Sequence, residues 1–240
     1  MGIFSVRKKK KKEKSLPVDF EVLHKNIYAA VKPFTMTSPE RVYGLIEAVK
    51  YISKNKIAGD IAECGVWKGG SMLAIAKTLE FMNDTDRQLY LYDTFSGMSA
   101  PTEDDKTSDD KDAAALLKKE DVKTSEVWAY SSLSEVKDTM SNTGYNQQSI
   151  HYIEGKVEDT IPRNIPSSIA LLRLDTDWYE STRHELQHLF PLLVTGGVLI
   201  IDDYGFWKGA RKAVDEYIAE KKLRLLLTRM DETGRIAIKQ

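Results

Sequence analysis

Short apolar runs that each close on an acidic residue set the architecture of this 240-residue chain. Asp60-Ile61-Ala62-Glu63 leads into a glycine-rich stretch, Leu89-Tyr90-Leu91-Tyr92 closes on Asp93, Ile169 to Leu174 closes on Asp175, and Val198 to Ile201 closes on Asp202 and Asp203. Runs this short and continuously apolar read as strands buried on both faces, the habit of a parallel sheet. Ile150 to Ile153 supplies one more. Between them lie helical patterns. Val42, Leu45, Ile46, Val49 and Ile52 follow Thr37-Ser38-Pro39, which offers an N-cap and an early proline. Met72, Leu73, Ile75, Ala76 and Leu79 follow the glycines, and Ser132 with Glu135 has capping-box spacing ahead of a short helix. Further helices are expected from about Ser181 to Leu193 and from Gly209 to about Lys221. This alternation predicts an α/β fold, a mainly parallel sheet with helices on both faces. The chain ends differently: Leu223 to Thr228 and Arg235 to Ile238 are strand-like, and the link through Asp231-Glu232-Thr233-Gly234 is too short for a crossover helix, so they should pair antiparallel.

With 42% hydrophobic residues the chain can bury one sizeable core. Residues 16–240 read as a single domain with an N-terminal helical segment over 16–56. A charged, irregular insert over about 96–131 reads as a mobile lid, because long structureless segments inside compact domains are usually functional. The formal net charge of -1 argues against a chain built to hold a polyanion. One segment breaks that balance: Arg7 to Lys14 carries seven positive charges in eight positions. Residues 1–15 read as a solvated, disordered tail, with weak contact to an anionic membrane as the sharper reading. Cys64 is the only cysteine, so there is no internal disulfide framework. No apolar run is long enough for a membrane helix and no signal-peptide core follows the basic start, so a cytoplasmic protein is expected.

Glycines directly after a buried strand let the backbone turn tightly and approach a ligand, while the next helix offers unpaired N–H groups. Here the turn runs Gly65-Val66-Trp67-Lys68-Gly69-Gly70-Ser71. A dinucleotide site places a second glycine two residues after the first to admit a diphosphate. Trp67 stands there, and Glu63 before the turn would repel a diphosphate but could hold the ammonium of an amino-acid moiety. Asp93, at the end of the next strand, sits where a ribose diol can be hydrogen-bonded. Asp175, Asp177, Asp202 and Asp203 should approach one another at the carboxyl edge of the sheet. Taken singly, each of these acids could be a helix or strand cap. Together, with no lysine among them, they repel unless a cation is shared or protons are taken up, and a hard oxygen-ligated ion such as Mg2+ suits them.

These residues resemble the macrocin and mycinamicin sugar O-methyltransferases, the TylF family. The likeness runs through Thr35-Met36-Thr37-Ser38-Pro39-Glu40-Arg41, Gly59 to Ser71, Asp93-Thr94-Phe95-Ser96-Gly97-Met98, Gly155 with Asp159-Thr160-Ile161-Pro162, Arg173 to Thr182, and Gly196 to Gly205. It spans residues 34 to 240 in order and leaves the N-terminal tail outside. A parallel sheet finished by an antiparallel hairpin is the layout of class I, Rossmann-like methyltransferases, and seven strands are expected. The resemblance implies S-adenosylmethionine as methyl donor, Mg2+, and transfer to a hydroxyl of a sugar or other glycan, a small-molecule acceptor bound as a vicinal diol. It places Thr37, Glu63, Gly65, Trp67, Gly69, Gly70, Ser71, Asp93, Thr94, Glu158 and Asp159 around the cofactor. Asp175, Asp202 and Asp203 would hold the metal, with Asp175 or Asp177 taking the proton. A homo-oligomer is expected. His184 and His188, one helical turn apart, read as packing or surface residues.

Two other function classes compete. A nicotinamide-dependent oxidoreductase is disfavoured by Trp67, by the paired Asp202-Asp203 and by the terminal hairpin. A nucleic-acid-binding protein or nucleic-acid methyltransferase would depend on the Lys-rich tail, since the domain itself shows no concentrated basic residues and no aromatic-basic RNA motif, so no specific nucleic-acid partner is expected.

Overall fold

The computed structural model describes residues 16–240, so the basic segment Arg7 to Lys14 and any lipid contact it makes lie outside the described residues. Chain order is α1 (Val22–Val31), α2 (Pro39–Lys54), β1 (Asp60–Cys64), α3 (Gly70–Met82), β2 (Leu89–Asp93), α4 (Ala113–Leu117), α5 (Leu133–Met140), β3 (Ile150–Glu154), α6 (Val157–Thr160), β4 (Ile169–Leu174), α7 (Tyr179–His188), β5 (Leu193–Ile201), α8 (Lys208–Lys221), β6 (Thr228–Arg229) and β7 (Arg235–Ile238). The strands form one seven-stranded sheet in the order β3-β2-β1-β4-β5-β7-β6. The first five are parallel, and β7 lies antiparallel between β5 and β6. This is the mainly parallel sheet with a C-terminal antiparallel hairpin that the apolar runs predicted. No helix among the described residues is long and apolar enough to cross a membrane.

Side chains alternate across a strand with a period of two, and each face of the sheet has its own core. Ile61, Leu89, Leu91, Leu171, Val198 and Ile200 pack beneath α1, α2 and α3. Ala62, Cys64, Tyr92, Leu172, Leu174, Leu199 and Ile201 pack against Leu186 of α7 and Val214 and Tyr217 of α8. The same alternation puts Glu63 with Ile61 and Arg173 with Leu171, on the first of these faces. Glu63 and Arg173 are register partners across β1 and β4.

Local signals worked where they were physically complete. Ser38 caps α2 by accepting from Arg41 N (3.1 Å), with Pro39 at its first position, and Ser132 and Glu135 form the capping box of α5. Two expectations are corrected. The helix after β4 ends at His188, and a 3-10 turn over Phe190–Leu192 delivers Leu193 as the first residue of β5, because Pro191 cannot continue the helical ladder. β6 is two residues long, although Leu223, Leu225 and Leu227 keep their alternation by packing on the α7–α8 face. Helix α1 lies within the segment 16–56 read as helical, ahead of the first helix legible from periodicity.

The insert over 96–131 is built into the body of the molecule. Ala113 and Leu117 of α4 bury themselves against Trp178, Trp207 and Ala210, with Met98, Val127 and Trp128 alongside. Asp105, fully buried, accepts from Tyr179 N at the start of α7 (2.7 Å) and from Thr102 N and Oγ1 (2.7 and 2.9 Å). Thr107 bridges to Trp207, and Lys212 pairs with Asp104 at 2.8 Å. Asp105 therefore links the insert to the helix that follows the acidic end of β4. Asp105→Ala leaves those donors buried without an acceptor and is expected to lower unfolding free energy by about 1–3 kcal/mol. Denaturant melts check the loss, and limited proteolysis should cut the variant's 96–131 segment faster.

Candidate active site

At the carboxyl edge of β1, β2, β4 and β5 a cavity of about 370 Å³ opens. Its lower wall is the glycine-rich turn. Gly65 sits at φ +80, and a Cβ there would overlap the carbonyl of Asp175 and meet Thr176 N at 3.2 Å, so the residue must be glycine for β1 and β4 to end side by side. Asp93 holds the turn from β2: Oδ2 accepts from Val66 N (2.6 Å) and Trp67 N (3.0 Å), and Oδ1 from Phe95 N (2.8 Å). Burial raises the pKa of Asp93 against the pull of these N–H donors. The expected ribose ligand is thus also the clasp of the turn.

Behind the cavity lies a chain of alternating charge. Arg173, 2% exposed, donates through Nη1 to Glu63 Oε1 (2.5 Å) and Asp175 Oδ2 (2.7 Å), and through Nη2 to Asp202 Oδ1 (2.5 Å) and, more weakly, Thr37 Oγ1 (3.4 Å). Asp202 Oδ2 is held by Nη1 of Arg41, whose Nε faces Asp231 Oδ2 at 2.9 Å. Asp231 also accepts from Ser38 Oγ (2.6 Å) and from Thr233 N and Gly234 N, which ties the turn between β6 and β7 to the site. Burial lifts the Glu63 carboxyl to about 7 even beside Arg173, and Glu63 Oε2 is buried with no partner.

In front of this chain, Asp175, Asp177 and Asp203 offer carboxylate oxygens within 4.8 Å of one another. Burial pushes Asp177 up to about 7, and burial together with neighbouring carboxylates pushes Asp175 and Asp203 well above the usual range. Asp177 adopts φ +69, a left-handed conformation that a short polar side chain tolerates. The donor set is all oxygen and carries excess acid, the environment in which a hard divalent cation replaces shared protons.

Of the residues singled out from sequence, Thr37, Gly65, Trp67, Gly70, Ser71, Asp93, Thr94, Glu158, Asp175, Asp177, Asp202 and Asp203 line this one cavity. Glu63 stands behind Arg173, Gly69 faces Val136 of α5, and Asp159 is exposed on α6. The carboxylates that cluster are Asp175, Asp177 and Asp203, while Asp202, expected beside Asp175 and Asp203, is bonded by two guanidinium groups. Of the four strand-end acids, Asp175 and Asp202 are bonded by arginine, while Asp177 and Asp203 are not. Sequence reasoning passed over Arg41 and Arg173 as functional groups. The signal was there, because a charge at position 173 of a fully buried strand must be paired. His184 bonds the carbonyl of Ile161 (3.1 Å) and lies tilted against His188, and neither lines the cavity.

The strand order, the hairpin and a glycine turn clasped by a strand-end acid are those of a class I, Rossmann-like methyltransferase. The model of the macrocin O-methyltransferase (TylF) family matches residues 6–238, reaching further toward the N-terminus than the resemblance did, and the chain belongs to that family. It is 30% identical over 200 residues to a demethyldecarbamoylnovobiocin O-methyltransferase of Streptomyces niveus, covering 83% of this chain and 73% of that one. It is 31% identical over 184 residues to a mycinamicin III 3''-O-methyltransferase of Micromonospora griseorubida, covering 76% and 69%. Among solved structures, the O-methyltransferase NovP superposes with a TM-score of 0.76 at 27% identity, covering 86% of this chain and 82% of that one. A Podospora anserina methyltransferase bound to S-adenosylhomocysteine shares the fold, with a TM-score of 0.55 at 13% identity over 92% and 89%.

Removing one partner of a buried ionic cluster leaves uncompensated charge, which costs about 3–5 kcal/mol. Arg173→Met is expected to lose that much unfolding free energy at neutral pH, where Glu63, Asp175 and Asp202 would face one another. The deficit should shrink as pH falls through about 7, the raised pKa of Glu63, and be smaller at pH 5, as protons replace the guanidinium. Urea denaturation at both pH values checks this, and a neutral-pH loss under about 1 kcal/mol would contradict it.

Proposed function

We propose that the chain transfers the methyl group of S-adenosylmethionine to a hydroxyl of a sugar or glycan and that a divalent cation such as Mg2+ assists. The observation that carries this reading is the meeting, in one cavity, of the clasped glycine turn and the Asp175, Asp177, Asp203 cluster. The glycine turn and Asp93 suit the nucleoside end of the donor, and Thr37 and Ser71, which line the cavity, suit its amino-acid end. The cluster then stands where an acceptor oxygen would meet the sulfonium methyl, so the protein's contribution is largely orientation. The matched relatives from Streptomyces niveus and Micromonospora griseorubida, a demethyldecarbamoylnovobiocin O-methyltransferase and a mycinamicin III 3''-O-methyltransferase, support an acceptor of the same kind.

A hard divalent cation, when bound, supplies positive charge that lowers the pKa of a hydroxyl it ligates. Asp175 and Asp203 belong to the ligand set by either route. The third carboxylate is Asp177 in the arrangement described above, whereas the family resemblance points to Asp202. Asp177, with its pKa near 7, also has the proton affinity to accept the acceptor's hydroxyl proton at neutral pH. Arg173 and Arg41 hold Asp202 beside the cluster without filling it, and Glu158, bonded by Ser181 Oγ at 2.8 Å, lines the cofactor side.

Methyl transfer from labelled donor should be measured against a panel of glycosides and glycans, with and without Mg2+. Activity indifferent to chelator and to Asp203→Asn would sink the metal part. Failure on every sugar with success on another acceptor class would sink the sugar part. Calorimetric titration of Mg2+ into Asp177→Asn and Asp202→Asn identifies the third ligand, and the larger loss is expected in Asp177→Asn.

The pH dependence follows from the raised carboxyl pKa of Asp177. A cation must displace the protons that the raised carboxyls hold, so Mg2+ affinity should climb with pH through about 7, by about tenfold per pH unit for each proton displaced. Titrations at pH 6 and pH 8 check the sign.

A further inference from the structure

Of the large apolar side chains exposed among the described residues, Met36 (47%) and Phe206 (42%) alone line the cavity. Met36 sits beside Thr37, on the cofactor side. Phe206 sits on the other side, three residues after Asp203, on a turn whose closing bonds run from Phe206 N and Trp207 N back to Asp203 O, both at 3.0 Å. That turn is held rigid. Gly205 N donates to Thr233 O (2.9 Å), and a Cβ at Gly205 would crowd the backbone of Thr233 at 2.8 Å, so the β6–β7 turn braces it from behind. The Phe206 ring stands edge-on to Trp207 (5.0 Å, 87°), and Trp207 in turn stands edge-on to the buried Trp178 (4.8 Å, 76°). Three aromatic rings thus run from the core beneath α7 to the rim of the cavity, and only the last is left uncovered.

A single exposed apolar ring is ordinary on a protein surface, but one that lines a cavity is placed where a bound ligand covers it. This one is pre-organised by its neighbours and lies within one turn of the carboxylate cluster. We infer that Phe206 is the platform on which the acceptor's sugar ring lies, its C–H face against the aromatic face, and that this contact selects the hydroxyl presented to Asp175, Asp177 and Asp203. The inference rests on the sugar reading above. A flat aromatic surface restrains a pyranose ring in tilt while leaving its polar edge free, so it fixes which diol points inward, and an aliphatic side chain of similar bulk does not. Phe206 is in this sense a specificity-determining residue, and the cofactor half of the cavity does not depend on it.

The test uses the full chain with S-adenosylmethionine and a panel of p-nitrophenyl glycosides of common hexoses and 6-deoxyhexoses, carried forward with whichever is methylated fastest. Phe206→Ala and Phe206→Leu are both expected to raise acceptor KM by about tenfold or more, and to scatter the methyl group over more than one position in product NMR spectra. Phe206→Trp should keep KM within about threefold and retain a single product. S-adenosylhomocysteine binding by calorimetry should be the same in all three variants. If Phe206→Leu matches the parent in KM and in product position, the platform is overturned while the sugar reading stands. If the parent methylates no glycoside of the panel, the sugar reading fails and takes the platform with it. Equal loss in the Trp variant, or weakened S-adenosylhomocysteine binding, would reassign Phe206 to holding up the site and also overturn the proposal.

Discussion

The arrangement of this site hangs on one buried guanidinium. Arg173 is fixed by three carboxylates, from β1, from the end of its own strand and from the end of β5, so a single side chain joins three adjacent strands at their catalytic ends. Its burial alone would be prohibitive. It is tolerated because every strand beside it ends in an acid, and those acids are tolerated because Arg173 is there. Arg41 extends the same logic to the C-terminal hairpin through Asp202 and Asp231. A charge network of this kind contributes little net stability, but it restricts the strand ends to one arrangement, which a site for two substrates requires.

That network also sorts the acids by role. Four aspartates come off β4 and β5, yet two guanidinium groups claim Asp202 and leave Asp175, Asp177 and Asp203 to share what charge they can. Asp175 belongs to both groups, accepting from Arg173 while facing the cluster. The cavity consequently has a compensated side toward the core and an under-compensated side toward the acceptor. A proton or a divalent cation is attracted to the second of these.

Much of this was legible in the chain. The buried runs, the glycine turn, the strand-end acids and the hairpin were read from spacing, and most of the expected site residues do line one cavity. What escaped was of two kinds. The insert looked irregular because its order comes from contacts far away in sequence: Asp105 on the N-terminus of α7, and Ala113 and Leu117 under two tryptophans. Arg173 and Arg41 were in view as part of motifs, but apart from Asp175, two positions on from Arg173, their partners lie 29 or more residues away, and no local pattern discloses those.

The sequence by itself determined the strand and helix periods, the places where only glycine permits the turn, and the side of the sheet on which acids accumulate. Period-two alternation even places Glu63 and Arg173 on the same face, since each strand's parity is local. Tertiary structure alone decided how strand ends from different segments face one another. It made Asp202 an arginine's partner and Asp177 a member of the acidic cluster, and it carried an aromatic stack out to Phe206. Parity is a property of one strand, whereas pairing depends on register between strands and on the helices packed over them. Those are settled only when the sheet closes.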